Sequence, residues 1–310
     1  MKLASFITKL IGKKAKVKAQ DRGVAGTLYF FLPFAFLVFT FASFAQRVAI
    51  LTPDGAESSR AFAAGLAEAL SDKTRILDDG LSEAAFDAAQ AATPFNLTKE
   101  DSKRIGSVIG CEYFLLIRSA TLRRSSSQRP EYYEANAAIY VVSSRTGRLV
   151  LWRLLRFEAG KSKDADTSLA GSIGPLAAEI IDKTRSATKG ELAESAPPEM
   201  EEVPDANSPA AKSFRAPIPY RRFKPDYTAD AALYDVTATV DVEVDLDAAG
   251  AIKRTEIVRW AGYGLDESVE KTVRQMNWRP AERSGKTLPM RFLLRYNFKK
   301  VDKDEVKNPR

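Results

Sequence analysis

Between Val236 and Leu246 apolar and polar residues alternate without a break. Val236, Ala238, Val240, Val242, Val244 and Leu246 are interleaved with Thr237, Thr239, Asp241, Glu243 and Asp245. A period of two fits a strand with one buried face and does not fit a helix. The residues after Leu246 read as the rest of a small sheet module. Asp247–Gly250 is a turn, with Gly250 suited to a positive φ. Ile252–Trp260 is the return strand, its alternation breaking near Ile257-Val258, and Gly262 and Gly264 end it. Leu265, Val269, Val273 and Met276 mark one face of a helix over Leu265–Asn277. Arg279-Pro280-Ala281 opens a loop through Gly285, and Leu288–Phe298 is a last strand. In that strand Leu288, Met290, Phe292, Leu294, Tyr296 and Phe298 face inward, and Arg291, Leu293, Arg295 and Asn297 face outward.

Chain direction constrains the sheet. A hairpin that runs up and down, joined to a helix that returns, leaves the last strand antiparallel to the first. The predicted order is return strand, first strand, last strand. Asp241, Glu243 and Asp245 then lie across from Arg291 and Arg295, a favourable arrangement of opposite charges. The last strand becomes an edge, open to a guest strand. Its outward residues Arg291, Leu293, Arg295 and Asn297 are the candidate partner-binding residues.

The other end of the chain points to a membrane. Residues 24–45 carry no charge, and residues 1–22 hold seven Lys/Arg against the single acid Asp21. A helix of that apolar length rises about 33 Å, enough to cross the hydrocarbon core of a bilayer. The basic leader, residues 1–23, predicts a cytoplasmic N-terminus with everything after about residue 46 in the periplasm. Two readings stand. An uncleaved single-pass inner-membrane anchor is favoured by the apolar length. A signal peptide cleaved after Ala45 fits the small residues Ser43 and Ala45, and would leave a periplasmic protein.

Between these ends, residues 46–186 alternate strand and helix signals. Strands are expected at Arg47–Leu51, Thr74–Leu77, Glu112–Ser119, Tyr132–Ser143 and Leu149–Phe157, the last two joined at Thr146-Gly147. Helices are expected at Ser58–Leu70, at Ala84–Ala91, from the capping pair Thr98/Asp101 through Val108, and at Ser168–Arg185. Residues 187–222 are rich in Ala, Glu, Ser and Pro and read as a flexible or extended linker. Residues 301–310 are a charged tail. The fold class is therefore α+β: a membrane segment, an α/β sandwich domain, a Pro-containing linker and a C-terminal ββαβ domain over residues 223–300.

Chemistry is sparse. The chain has no histidine and one cysteine. This removes His-based catalytic pairs, disulfides and His or Cys metal clusters. Cys111 reads as a small core residue. Gly160-Lys161-Ser162 and Gly285-Lys286-Thr287 lack the upstream glycine of a phosphate loop, having Leu155 and Pro280 there. Asn96-Leu97-Thr98 is a formal glycosylation sequon, but helix capping accounts better for Thr98. Arg123 and Arg124 read as a solvated hairpin loop, and Trp152, Trp260 and Trp278 as core or interface aromatics. The net charge of +7 arises largely in the leader, so no nucleic-acid footprint is expected. No catalytic, cofactor-binding or metal-ligating residue is assigned, and the expectation is a non-enzyme.

These residues carry two resemblances. Residues of about 218–300 resemble the TonB C-terminal domain family. The likeness rests on the strand with its Asp247–Gly250 turn, Gly264-Leu265-Asp266 and Trp278-Arg279-Pro280-Ala281. Gly285-Lys286 and the closing Arg295-Tyr296-Asn297-Phe298 complete it. The motif residues are thus Gly250, Leu265, Pro280, Ala281, Gly285, Tyr296 and Phe298. The resemblance implies an anchored energy transducer that links an ExbB–ExbD-like motor to outer-membrane receptors, whose short segment pairs with the edge strand. The family's anchor carries a motor-coupling histidine, and this chain has none, which implies weak or absent coupling. The strand and helix order of residues 47–186, with Gly110-Cys111-Glu112-Tyr113 before an apolar run, resembles the small α/β domains of TolB, CsgG and LpoB. That likeness implies protein contacts in the cell envelope. The alternative to a transducer is a structural envelope-assembly factor, with residues 46–186 binding the main partner.

Overall fold

The computed structural model describes residues 46–300 except 197 and 206. The basic leader, the expected membrane segment and the charged tail lie outside the described residues. No helix of the described residues is long and apolar enough to cross a membrane.

The first lobe is a mixed five-stranded sheet. Its strands are β1 (Arg47–Leu51), β2 (Arg75–Ile76), β3 (Tyr113–Arg124), β4 (Tyr132–Ser143) and β5 (Leu149–Ala159), in the order β2-β1-β3-β4-β5. Helices α1 (Glu57–Ser71), α2 (Asp79–Ala88), α3 (Lys99–Ile109), α4 (Ser162–Gly171) and α5 (Ile173–Ala193) surround it. One face of the sheet, through Tyr113, Leu115, Ile117, Ile139 and Val141, packs on Phe62, Leu66 and Leu70 of α1 and on Leu169, Leu176 and Ile180 of α4 and α5. Thr98 caps α3 as its sequence suggests, accepting the Asp101 N–H at 3.0 Å.

Several boundaries differ from expectation. The helix expected over Ser168–Arg185 is two helices that part at Ser172. Pro175 is the cause: it has no N–H and its ring clashes with the carbonyl four residues back, at Gly171, so it fits only the first turn of a new helix. The second helix begins at Asp79 rather than Ala84, because Asp78 supplies a cap, accepting the Leu81 N–H at 2.9 Å. Arg123 and Arg124 belong to β3 and not to a loop, with Arg123 exposed as expected. Arg124 pairs with Glu134, which is 2% exposed.

The second lobe contains β9 (Ala238–Leu246), β10 (Ile252–Arg259), α7 (Leu265–Arg274) and β14 (Met290–Phe298), preceded by the short helix α6 (Ala229–Leu233). Its sheet has the order β10-β9-β14-β6, where β6 is Glu201–Glu202. The expected strand order is present, with one strand more. The broken alternation at Ile257-Val258 is a shift in register between Ile257 and Arg259. Gly250 adopts φ 85°, and a Cβ there would lie 2.2 Å from the Trp278 carbonyl oxygen, so only glycine fits.

The loop expected over Arg279–Gly285 is a hairpin. Here β12 (Ala281–Arg283) and β13 (Lys286–Leu288) meet at Ser284-Gly285, both at positive φ. This is the two-residue turn whose twist matches paired strands. The expected linker is also built into the fold: α5 runs to Ala193, β7 (Phe214–Arg215) pairs with β12, and β8 (Ile218–Pro219) pairs with β11 (Trp278–Arg279).

The two lobes share one hydrophobic core. It joins Phe114, Leu116, Tyr140 and Val142 of the first sheet to Val240, Trp260, Tyr263 and Leu265 of the second lobe. Tyr140 and Trp260 rings lie 5.4 Å apart and Trp152 and Tyr263 rings 5.2 Å apart. Gly262, at φ 73°, lets backbone into this seam: a Cβ there would stand 2.4 Å from the Trp152 indole nitrogen. Asn96 pins the seam, donating to the carbonyls of Thr239 (2.8 Å) and Trp260 (2.7 Å) and accepting the Thr239 N–H (2.9 Å). Asn96→Ala leaves three backbone groups without these partners. It should lower unfolding stability by about 2–4 kcal/mol, read from denaturant melts.

Candidate functional site

The candidate site is the open edge of β14. Its nine residues pair with β9 from Met290↔Leu246 to Phe298↔Ala238. The backbone orientation is shown by Asn96. Thr239 gives its N–H and C=O to Asn96, so the odd-numbered residues of β9 turn away from β14. Opposed residues of an antiparallel pair either bond each other or both turn outward. Thr239 opposes Asn297, Asp241 opposes Arg295, Glu243 opposes Leu293, and Asp245 opposes Arg291. The N–H and C=O groups of Arg291, Leu293, Arg295 and Asn297 therefore face away from β9, with β6 beside Arg291 and no strand among the described residues beside Leu293–Asn297. The four sequence-predicted residues stand together, and they carry the backbone groups as well as the side chains of that edge.

The side chains of this row form the charged face of the sheet. Arg291 makes a two-pronged bond to Asp245 (2.7 and 2.8 Å), and Arg295 makes one to Asp241 (2.7 and 2.9 Å). Arg259 adds a third donor to Asp241 at 3.0 Å. Asp241 and Asp245 are 3% and 2% exposed. Burial pushes the Asp241 carboxyl up, but the Arg295 and Arg259 bonds outweigh it and hold it below the usual carboxylate range. The Arg291 bond holds Asp245 low, against the opposing effect of burial. Leu293 breaks the row: it is apolar and 50% exposed.

Beside the edge lies a groove of about 640 Å³. Met276, Trp278, Phe292, Leu293, Leu294, Arg295 and Tyr296 line it together with Val203, Ala216, Pro217, Pro219, Arg222 and Phe223. Trp278 packs at a tilt against Phe292, with ring centres 4.9 Å apart. The motif residues support this site from behind. Leu265 and Ala281 are buried, at 0% and 1% exposed, Phe298 stacks on Tyr227, and Pro280 lies at Gly250. Asp266 accepts the Ala261 and Gly262 N–H groups and closes the turn after β10; burial pushes its carboxyl up to about 7. Gly285 sits in the β12–β13 turn in open space, away from the groove.

Sequence reasoning missed one wall of the site and one charged link between the lobes. One is the groove wall from Val203 and Ala216–Phe223, which sits in the segment read as linker; the Pro217 and Pro219 spacing marks it as extended. The other is Glu256, 9% exposed, which gathers Lys99 and Arg148 from the first lobe together with Arg254. No local signal in the sequence joins residues so far apart. Among the described residues no group of His, Cys, Asp and Glu is arranged to hold a metal.

Asp245→Asn tests the charged face. It should cost about 2–3 kcal/mol at pH 7. A carboxylate held low in the fold stabilises above its unfolded pKa and loses that effect as pH falls through the folded one. The gap between wild type and variant should therefore shrink below about pH 4, as urea melts across pH 3–7 would show.

Residues 224–299 match the family model described as Gram-negative bacterial TonB protein C-terminal. No curated protein matches the chain. Among solved structures, lipoprotein GNA1162 from Neisseria meningitidis is similar at 15% identity and a TM-score of 0.31, covering 48% of this chain and 99% of that one. The Pseudomonas aeruginosa TonB C-terminal domain is similar at 18% identity and a TM-score of 0.26, covering 34% and 99%. The LpoB C-terminal domain from Salmonella enterica is similar at 12% identity and a TM-score of 0.26, covering 40% and 90%.

Proposed function

We propose that this chain, whose residues 224–299 form a TonB-type C-terminal domain, is a non-enzymatic adaptor of the Gram-negative cell envelope that grips a partner by strand pairing along β14. The observation that carries the reading is the row of outward backbone groups at Leu293, Arg295 and Asn297 beside an apolar groove. Main-chain bonds supply affinity to an added strand, and side chains in alternate positions supply selectivity. The partner is an envelope protein presenting an extended segment, such as an outer-membrane receptor in a transport role. Residues 24–45 hold the adaptor in the inner membrane, with its bulk in the periplasm. Because the chain lacks histidine, coupling to an ExbB–ExbD-like motor is weak or absent.

A second reading has its own support. The core shared between the lobes favours a structural assembly factor, in which the TonB-type domain is docked and the first lobe meets the main partner. A photo-crosslinking residue at Leu293 separates the two: capture of an outer-membrane receptor supports the first, capture of a secretion or cell-wall protein the second.

Proline scanning tests the edge directly. Leu293→Pro removes an N–H from the open edge and should leave the fold largely intact while abolishing partner binding. Val242→Pro, in the central strand and fully buried, should unfold the lobe. Circular dichroism and pull-down on both variants decide it, and normal binding by Leu293→Pro would overturn the reading. The anchor makes a separate prediction. The mature protein should keep residues 1–45 and fractionate with the inner membrane, and N-terminal sequencing that starts at Gln46 would refute this.

A further inference from the structure

One end of the β14 edge is already occupied. β6 lies on it in parallel, with Glu201 opposite Met290 and Glu202 opposite Arg291. Glu201 pairs with Arg283 at 2.9 Å. Arg291 has its pKa raised chiefly by its bond to Asp245, and Glu202 lies close enough to add to the effect. Val203 then reaches the apolar groove. The strand goes no further. Pro204 comes next, and a turn closed by the Ser208 N–H on the Asp205 carbonyl (2.9 Å) carries the chain off the edge. Beyond Arg291, no strand among the described residues pairs with this side of β14.

From this arrangement we infer that Glu201–Val203 is a resident strand and that partners bind by strand exchange. The inference rests on the edge-pairing reading above and adds the direction, the chemistry and the order of events. A guest first pairs with the bare stretch at Leu293–Asn297. It then extends toward Arg291 and displaces Glu201 and Glu202. The fitting guest runs parallel to β14 and is an extended acidic segment. It repeats what the resident offers: carboxylates toward Arg283 and Arg291, then a small apolar side chain over Trp278 and Phe292. The resident is short, is joined to the lobe by few contacts, and costs a guest little to displace. It still denies the Met290–Arg291 end of the edge to strands that lack matching carboxylates. An uncovered edge strand pairs without discrimination, and a weak intramolecular cover limits this.

The test needs no envelope partner. The probe is a fluorescein-labelled synthetic peptide of residues 198–205, added to the full chain in detergent and read by polarisation. The double variant Glu201→Lys, Glu202→Lys reverses the resident's charges while keeping its length. It should bind the peptide at least about ten-fold more tightly than wild type does. Adding Leu293→Pro to the double variant should remove that binding. Hydrogen exchange gives a second readout. The Arg291 amide should be protected in wild type and exchange faster in the double variant, while the Leu293, Arg295 and Asn297 amides exchange fast in both. Equal peptide binding by the two chains, or no binding by either, together with unchanged exchange at Arg291, would overturn the inference. Because the peptide is the chain's own, failure to capture an envelope protein at Leu293 would leave this result standing, so the two readings fail separately.

Discussion

A sheet with two apolar faces needs two covers, and the first lobe supplies only one and a half. Its helices α1, α4 and α5 close one side of β3 and β4, and α2 and α3 reach part of the other. The remaining surface, at Tyr140, Ala138 and Trp152, is covered by the loop after β10 and the start of β9. The arrangement of the molecule stems from this uncovered apolar area. The seam can close only where Gly262 lets backbone against Trp152, and Asn96 satisfies the backbone groups that the closure strands. The same bonds show which backbone groups of β9 turn from β14, and hence which groups β14 turns outward.

The charged face obeys a related rule. Asp241, Asp245 and Glu256 are too buried to stand alone, and each is met by two or more cations. Buried carboxylates of this kind add less to stability than their number suggests, because desolvation opposes the attraction. Their effect is on arrangement. Arg291 and Arg295 are drawn flat over the sheet, and Leu293 stands clear between them.

Much of the second lobe was legible in the sequence because its signals are local. Strict alternation identified β9 and β14, the Asp247–Gly250 turn fixed the hairpin, and chain direction then gave the order β10-β9-β14. The broken alternation at Ile257-Val258 marked the register shift where it occurs. What stayed hidden depends on distance. Asn96 looked like part of a sequon because its partners lie more than 140 residues away. The Pro-rich segment looked unstructured because its strands are two residues long and take their stability from β11, β12 and β14 rather than from their own pattern. The break at Ser172 was readable from Pro175, but helical periodicity continued across it and masked the signal.

The way β14 is held has a mechanical side. Nine registers tie it to β9, and β9 is tied in turn to β10 and, through Asn96, to the first lobe. A guest strand pulled along its own length would load the bonds across β14 in shear, all at once, instead of peeling them one by one. Such a joint resists tension far better than its equilibrium affinity implies, while a sideways pull opens it from one end. On the edge-pairing proposal, β14 would also be the strand through which a force on a captured segment enters the body of the protein.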